Sequence, residues 1–139
     1  MQIFIIGSPL ETARALDKRR LNKQIIECKQ ILDALQGNEA WSNHPAVLQY
    51  RGHEQWLRHY MTCLTSVMCG ADDIARIASN EADEVRPYWH CKDYYEQMKR
   101  RLFEKDEEHY KQWAHLGKSD ENWYWSEDAF IKYVDGKRV

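Results

Sequence analysis

The sequence predicts an all-α protein, and three observations predict it. Apolar residues recur at helical spacing through the long patterned stretches. Helix-start and helix-stop residues bracket those stretches, and no pair of segments alternates convincingly as partnered strands. With 139 residues, the chain is long enough for one domain over 1–139 with a real core and too short for two ordinary ones. The expectation is three main helices.

Met1 to Ile6, MQIFII, is a short apolar segment, either extended or tucked into the core. Ser8-Pro9-Leu10-Glu11 is a helix-start signature: Ser8 as N-cap, Pro9 as first helical residue, Glu11 closing a capping box. The pattern runs to Leu35, with a break expected near Asp17, and Gly37-Asn38 ends it. Leu21, Ile25, Cys28, Leu32 and Leu35 form one apolar stripe. Pro45 opens a second helix expected to run to Cys69, with Val47, Tyr50, Leu57, Met61, Leu64 and Met68 inward and Gly70 as its stop. Ala71 to Ser79 reads as a short helix and Asn80 to Pro87 as an acidic loop. Asp93 to Asp106 is helical in pattern, continuing to Leu116 after a bend. From Gly117 periodicity is lost, and the tail carries the aromatic cluster Trp123-Tyr124-Trp125.

Net charge is −2, which argues against a tight, sequence-blind coat on duplex DNA, because that affinity comes from neutralising phosphates. The charge is uneven. From Glu11 to Gln30 six cations face three acids, a local basic patch that suits a small anionic ligand or a short stretch of nucleic acid. Six tryptophans and eight tyrosines supply both core and flat stacking surfaces. Four cysteines without a CxxC pair, no secretory signal and no membrane-length apolar run point to a reduced, cytoplasmic protein, with Cys28 as a small core residue. His53 and His59 do not share a helix face, and neither HExxH nor zinc-spaced cysteines occur, so no metal is expected.

The chemistry-bearing residues cluster on the first long helix. Arg20, Lys23, Gln24 and Glu27 lie beside the apolar stripe, which puts Glu27 at the border of the buried face. A carboxylate there can be partly desolvated while cations hold an anionic group. The plain alternative is a solvated i,i+4 pair between Lys23 and Glu27. Arg101, Lys105 and His109 recur every four residues: a solvated face, or a phosphate-binding ridge opposite Arg19, Arg20 and Lys23. His44-Pro45 at a helix start is either a cap or an anion site. The Trp123–Trp125 run is either a hydrophobic plug or a stacking surface.

The blocks LDKRRLNKQIIECKQIL, WSNHPAV, RRLFEKDEEHY and WYW, in that order, resemble the pyrimidine-dimer DNA glycosylase family of phage endonuclease V, and more closely its small phage and bacterial relatives. The resemblance implies a single all-α domain of three helices. It implies an N-terminal α-amine that attacks C1′ of a deoxynucleotide, displaces the base and forms a Schiff base, after which β-elimination cuts the strand. The assisting helix glutamate would be Glu27. Methionine is usually retained before a residue as large as Gln2, so the amine would be that of Met1. Arg19, Arg20, Lys23 and Arg101 would hold phosphates, with His44, Lys105 and His109 also at the substrate and Tyr124 and Trp125 stacking on a base. An α-amine suits the chemistry because its pKa, about 7.7–8.0, leaves a neutral fraction at cellular pH. No cofactor, metal or membrane is implied, and the partner is DNA. Two other readings stay open: an enzyme acting on a free nucleotide, and a non-catalytic module that docks nucleic acid or an acidic protein.

Overall fold

The fold begins with a segment that has no secondary structure of its own yet is buried: Ile3, Phe4, Ile5 and Ile6 all lie in the core. The computed structural model describes residues 2–37 and 44–119. Among these, helices α1 (Pro9–Ala15), α2 (Lys18–Leu35), α3 (Pro45–Tyr50), α4 (Glu54–Met68), α5 (Asp72–Glu84) and α6 (Lys92–Lys105) are followed by a 3₁₀ helix, Lys111–Leu116, and there is no strand. The protein is all-α.

The first helix boundary follows the sequence closely. Ser8 Oγ accepts from the Glu11 N–H at 3.1 Å, and the Glu11 carboxylate accepts from the Ser8 N–H at 3.4 Å, which completes the capping box. The break near Asp17 is real: Leu16 is extended, and α2 starts at Lys18. Cys28 is fully buried.

Among the described residues there are six α-helices, of which α2, α4 and α6 are the three longest. The expected helix from Pro45 to Cys69 is two, because Gly52 adopts φ +87° and turns the chain between α3 and α4. Met68 is exposed rather than inward. The expected loop from Asn80 is helical through Glu84. Ala75, Ala78 and Ala82 form the buried stripe of α5, and such small residues carry little apolar signal in so acidic a segment. They let α5 pack closely on α4. Finally, α6 stops at Lys105, so the chain beyond Asp106 does not continue its line.

The core is centred on α2 and α4. Leu21, Cys28, Ile31 and Leu32 of α2 meet Trp56, Leu57, Tyr60 and Leu64 of α4. Burying each of the larger side chains contributes about 1.5–3 kcal/mol. The buried face of α2 is rotated from the expected stripe: Ile25 and Leu35 are only partly buried, whereas Gln24, Glu27 and Ile31 are enclosed. That rotation carries the polar stripe of the helix into the interior. No described helix is long and apolar enough to cross a membrane.

Candidate active site

The rotated face of α2 forms one wall of a cleft of about 250 Å³, lined by Gln2, Phe4, Arg19, Arg20, Lys23, Gln24, Glu27 and Lys105. Glu27 is the one carboxylate among the described residues that line it, and only 8% of the residue is exposed. Burial raises the Glu27 carboxyl above its ordinary pKa; the positive charge of the N-terminus, the Gln2 backbone N–H, Lys23 and Lys105 oppose that rise. Glu27 is thus a carboxylate in low dielectric, held ionisable by surrounding cations.

A hydrogen-bonded hub supports it. Gln24 Nε2 donates to Glu27 Oε2 and to the Gln2 carbonyl, both at 2.9 Å. Gln24 Oε1 accepts from the Phe4 N–H at 2.5 Å and from the Tyr60 hydroxyl at 3.3 Å, and the Tyr60 hydroxyl also donates to the Phe4 carbonyl. The N-terminal segment is therefore bound to α2 and α4 by side chains, which is how its buried backbone groups are satisfied.

The cations are placed from two directions. Arg19, Arg20 and Lys23 come from α2, and Lys105 comes from the C-terminus of α6 with its ammonium 6.0 Å from the Phe4 ring centroid. Arg20 is anchored: Nη1 lies 3.2 Å from Asp17 Oδ1, and Nη2 donates to the Lys105 carbonyl at 3.5 Å. Asp17 in turn accepts from the Tyr110 hydroxyl at 2.5 Å. Burial alone would lift the Asp17 carboxyl, but the hydrogen bonds from Tyr110 and Arg20 outweigh it and hold the pKa below its ordinary value.

Of the residues expected at a site, the cleft gathers Glu27, Arg19, Arg20, Lys23 and Lys105. Three others do not line it. Arg101 is half-buried, and its charge acts on Tyr94 and Glu104. His109 sits in the turn after α6, where its Nε2 lies 3.2 Å from the Ala15 carbonyl oxygen. The expected line of Arg101, Lys105 and His109 is broken because the helix ends at Lys105. His44 caps α3, its Nδ1 accepting from the Ala46 N–H at 3.1 Å; burial, together with the N-terminal positive charge, lowers its pKa and favours the neutral ring. Met1, Tyr124 and Trp125 lie outside the described residues. Reading the sequence missed Gln2, Phe4 and the hub role of Gln24; the only signal was the position of Gln24, three residues before Glu27. No group of three or more His, Cys, Asp or Glu side chains among the described residues could hold a metal ion.

The family model for pyrimidine dimer DNA glycosylases matches residues 1–70. The chain belongs to that family. The matched half carries α1 to α4 and, among the described residues, every lining residue of the cleft except Lys105. No curated protein and no solved structure matches this glycosylase-family chain.

Proposed function

We propose that this protein is a DNA N-glycosylase and AP lyase for damaged or modified pyrimidines, with Glu27 as the catalytic carboxylate and the α-amine of Met1 as the nucleophile. The observation that carries the reading is a buried carboxylate in a cleft that Arg19, Arg20, Lys23 and Lys105 also line beside the N-terminal segment, in a member of a pyrimidine dimer DNA glycosylase family. The Gln2 backbone N–H is among the groups that lower the Glu27 pKa, and covalent geometry keeps the amine of the preceding residue within about 4 Å of that nitrogen.

In the proposed reaction the neutral amine attacks C1′. The C1′–base bond breaks, and its electron pair leaves with the base, which is then protonated. Loss of the ring oxygen as a hydroxyl gives the Schiff base. Removal of a C2′ proton then expels the 3′ phosphate, and the strand is cut by β-elimination. Glu27 stabilises positive charge on the sugar and takes up protons. Arg19, Arg20, Lys23 and Lys105 hold the flanking phosphates. Arg101, His44 and His109, which do not line the cleft, contribute only if the DNA extends beyond it, and Tyr124 and Trp125 are proposed to stack on a base.

Borohydride trapping on duplexes containing a cyclobutane dimer or an abasic site tests the reading. The expected result is a covalent adduct on the N-terminal amine, found by mass spectrometry and lost in Glu27→Gln. Absence of any adduct on both duplexes, with the amine intact, overturns it. A second reading, action on a free nucleotide, draws on the net charge of −2 and the 250 Å³ cleft; binding of a nucleotide with weak, salt-insensitive DNA binding would favour it. A purely docking role would leave function intact in Glu27→Gln and lose partner capture on charge reversal at Arg20 and Lys23.

A further inference from the structure

A glutamine on a helix surface usually faces water, yet Gln24 is 2% exposed. Its orientation follows from its partners. The Phe4 N–H can only donate, so it meets the amide oxygen; the Gln2 carbonyl can only accept, so it meets the amide nitrogen. An extended chain presents the C=O of one residue and the N–H of the second residue along on the same edge, where a neighbouring strand would pair. Gln24 occupies that edge and replaces the missing strand with one carboxamide. Its second N–H is then committed to Glu27 Oε2 at 2.9 Å. One buried side chain thus ties the register of the N-terminal segment to the position of the carboxylate.

We infer that Gln24 is a positioning residue: its amide fixes Gln2 and Phe4 relative to the Glu27 carboxylate. This rests on the reaction proposed above. Gln24 touches no reacting atom in that scheme; it acts through Gln2, Phe4 and Glu27. An apolar side chain of the same length would leave the Gln2 carbonyl and the Phe4 N–H unpaired and would free Glu27 to rotate.

The test uses the full chain and an abasic-site duplex, comparing wild type with Gln24→Met, Gln24→Glu and Ala82→Gly. The last lies on α5, which lines no part of the cleft, and serves as the benchmark for lost stability alone. Gln24→Met is expected to slow single-turnover trapping by about 10- to 100-fold at unchanged duplex affinity, since small misplacements of reacting groups carry penalties of that order. It should also move the acid limb of the rate profile to higher pH, because Gln24 hydrogen-bonds the ionised form of Glu27. The charged groups acting on Glu27 are the N-terminal amine, Lys23 and Lys105, with Arg19 and Arg20 also lining the cleft and Tyr60 and Cys28 as neutral neighbours; all remain in the variant. Gln24→Glu, which adds a like charge opposite Glu27, should move the limb further. Ala82→Gly should melt earlier with rate and limb at wild-type values.

A wild-type rate and an unmoved limb in whichever Gln24 variant folds would overturn the inference. Should wild type itself form no adduct, the proposed reaction fails separately. The Glu27 carboxyl can then be titrated by carbon NMR, where an unchanged titration in Gln24→Met would sink the positioning role and an upward shift would retain it for the carboxylate alone.

Discussion

Glu27 concentrates the conflict between stability and function in this molecule. Its carboxyl pKa is raised in the folded protein by burial, so between the unfolded and folded values the native state binds more protons than the unfolded one. Stability therefore rises as pH falls through that window and is lower where Glu27 is ionised. Glu27→Gln is expected to melt at the same temperature as wild type or a few degrees higher at pH 7, while base release falls by at least about 10²-fold, the scale of a lost acid–base group. Calorimetry and product analysis check the two halves. The activity that needs the carboxylate should fade on acidification at a pH above the ordinary glutamate value of about 4.3. The cysteines allow a simpler check. Cys28 and Cys63 are buried, with burial lifting the Cys63 thiol to about 11, whereas Cys69 and Cys91 are exposed. Alkylation of the native protein should label Cys69 and Cys91 and leave the other two unmodified until denaturant is added.

At the scale of elements, the joints between helices explain both the shape of the cleft and its fragility. The Asp17–Tyr110 hydrogen bond fastens the start of α2 to the chain beyond α6, and the same carboxylate steadies Arg20. Tyr110→Phe is expected to lower stability by about 1–3 kcal/mol, as for a lost hydrogen bond to a charged group, and to weaken binding of a phosphate-bearing ligand through a looser Arg20. Denaturant unfolding and a binding isotherm measure these. Because the Asp17 pKa is held low, its contribution is present above the unfolded pKa and is lost as pH falls through the folded value. At the α3–α4 joint it is backbone conformation, not space, that calls for glycine: a Cβ at Gly52 meets no atom within 4 Å, yet φ is +87°. Gly52→Ala should cost about 1–2 kcal/mol from left-handed strain, read as a shifted urea midpoint with an unchanged slope.

For the whole molecule, the electrostatics limit how DNA can be held. The net charge of −2 leaves attraction to the cleft and its four cations rather than to a broad basic face. The slope of log affinity against log salt should not exceed about 4 in magnitude, roughly 0.9 per phosphate neutralised. A titration across salt concentrations checks this, and a steeper slope would require contacts beyond the cleft. The core fixes the cleft from the other side, since Tyr60 of α4 reaches both Phe4 and Gln24. Leu64→Ala, which truncates a fully buried side chain of the same helix, should cost about 2–5 kcal/mol and, per folded molecule, leave the salt slope unchanged.

The sequence by itself determined the helical class, the capped start of α1, the break near Asp17 and the placing of Arg19, Arg20, Lys23 and Glu27 on one helix. Each of these rests on local chemistry: a capping box, a proline, a spacing of three and four. Only the tertiary structure decided the rest. Periodicity could not show that the buried face of α2 is turned toward Gln24 and Glu27, because helical spacing defines a stripe only to within a neighbouring residue and the packing of α4 chooses among them. Neither could it separate Lys105 from Arg101 and His109: the end of α6 at Lys105 takes His109 off the line, and the packing of α6 leaves Arg101 half-buried with its charge acting on Tyr94 and Glu104. Least legible was the N-terminal segment. Its backbone is satisfied by Gln24, Thr12 and Tyr60, up to 56 residues distant along the chain, and such pairings exist only once the helices have packed.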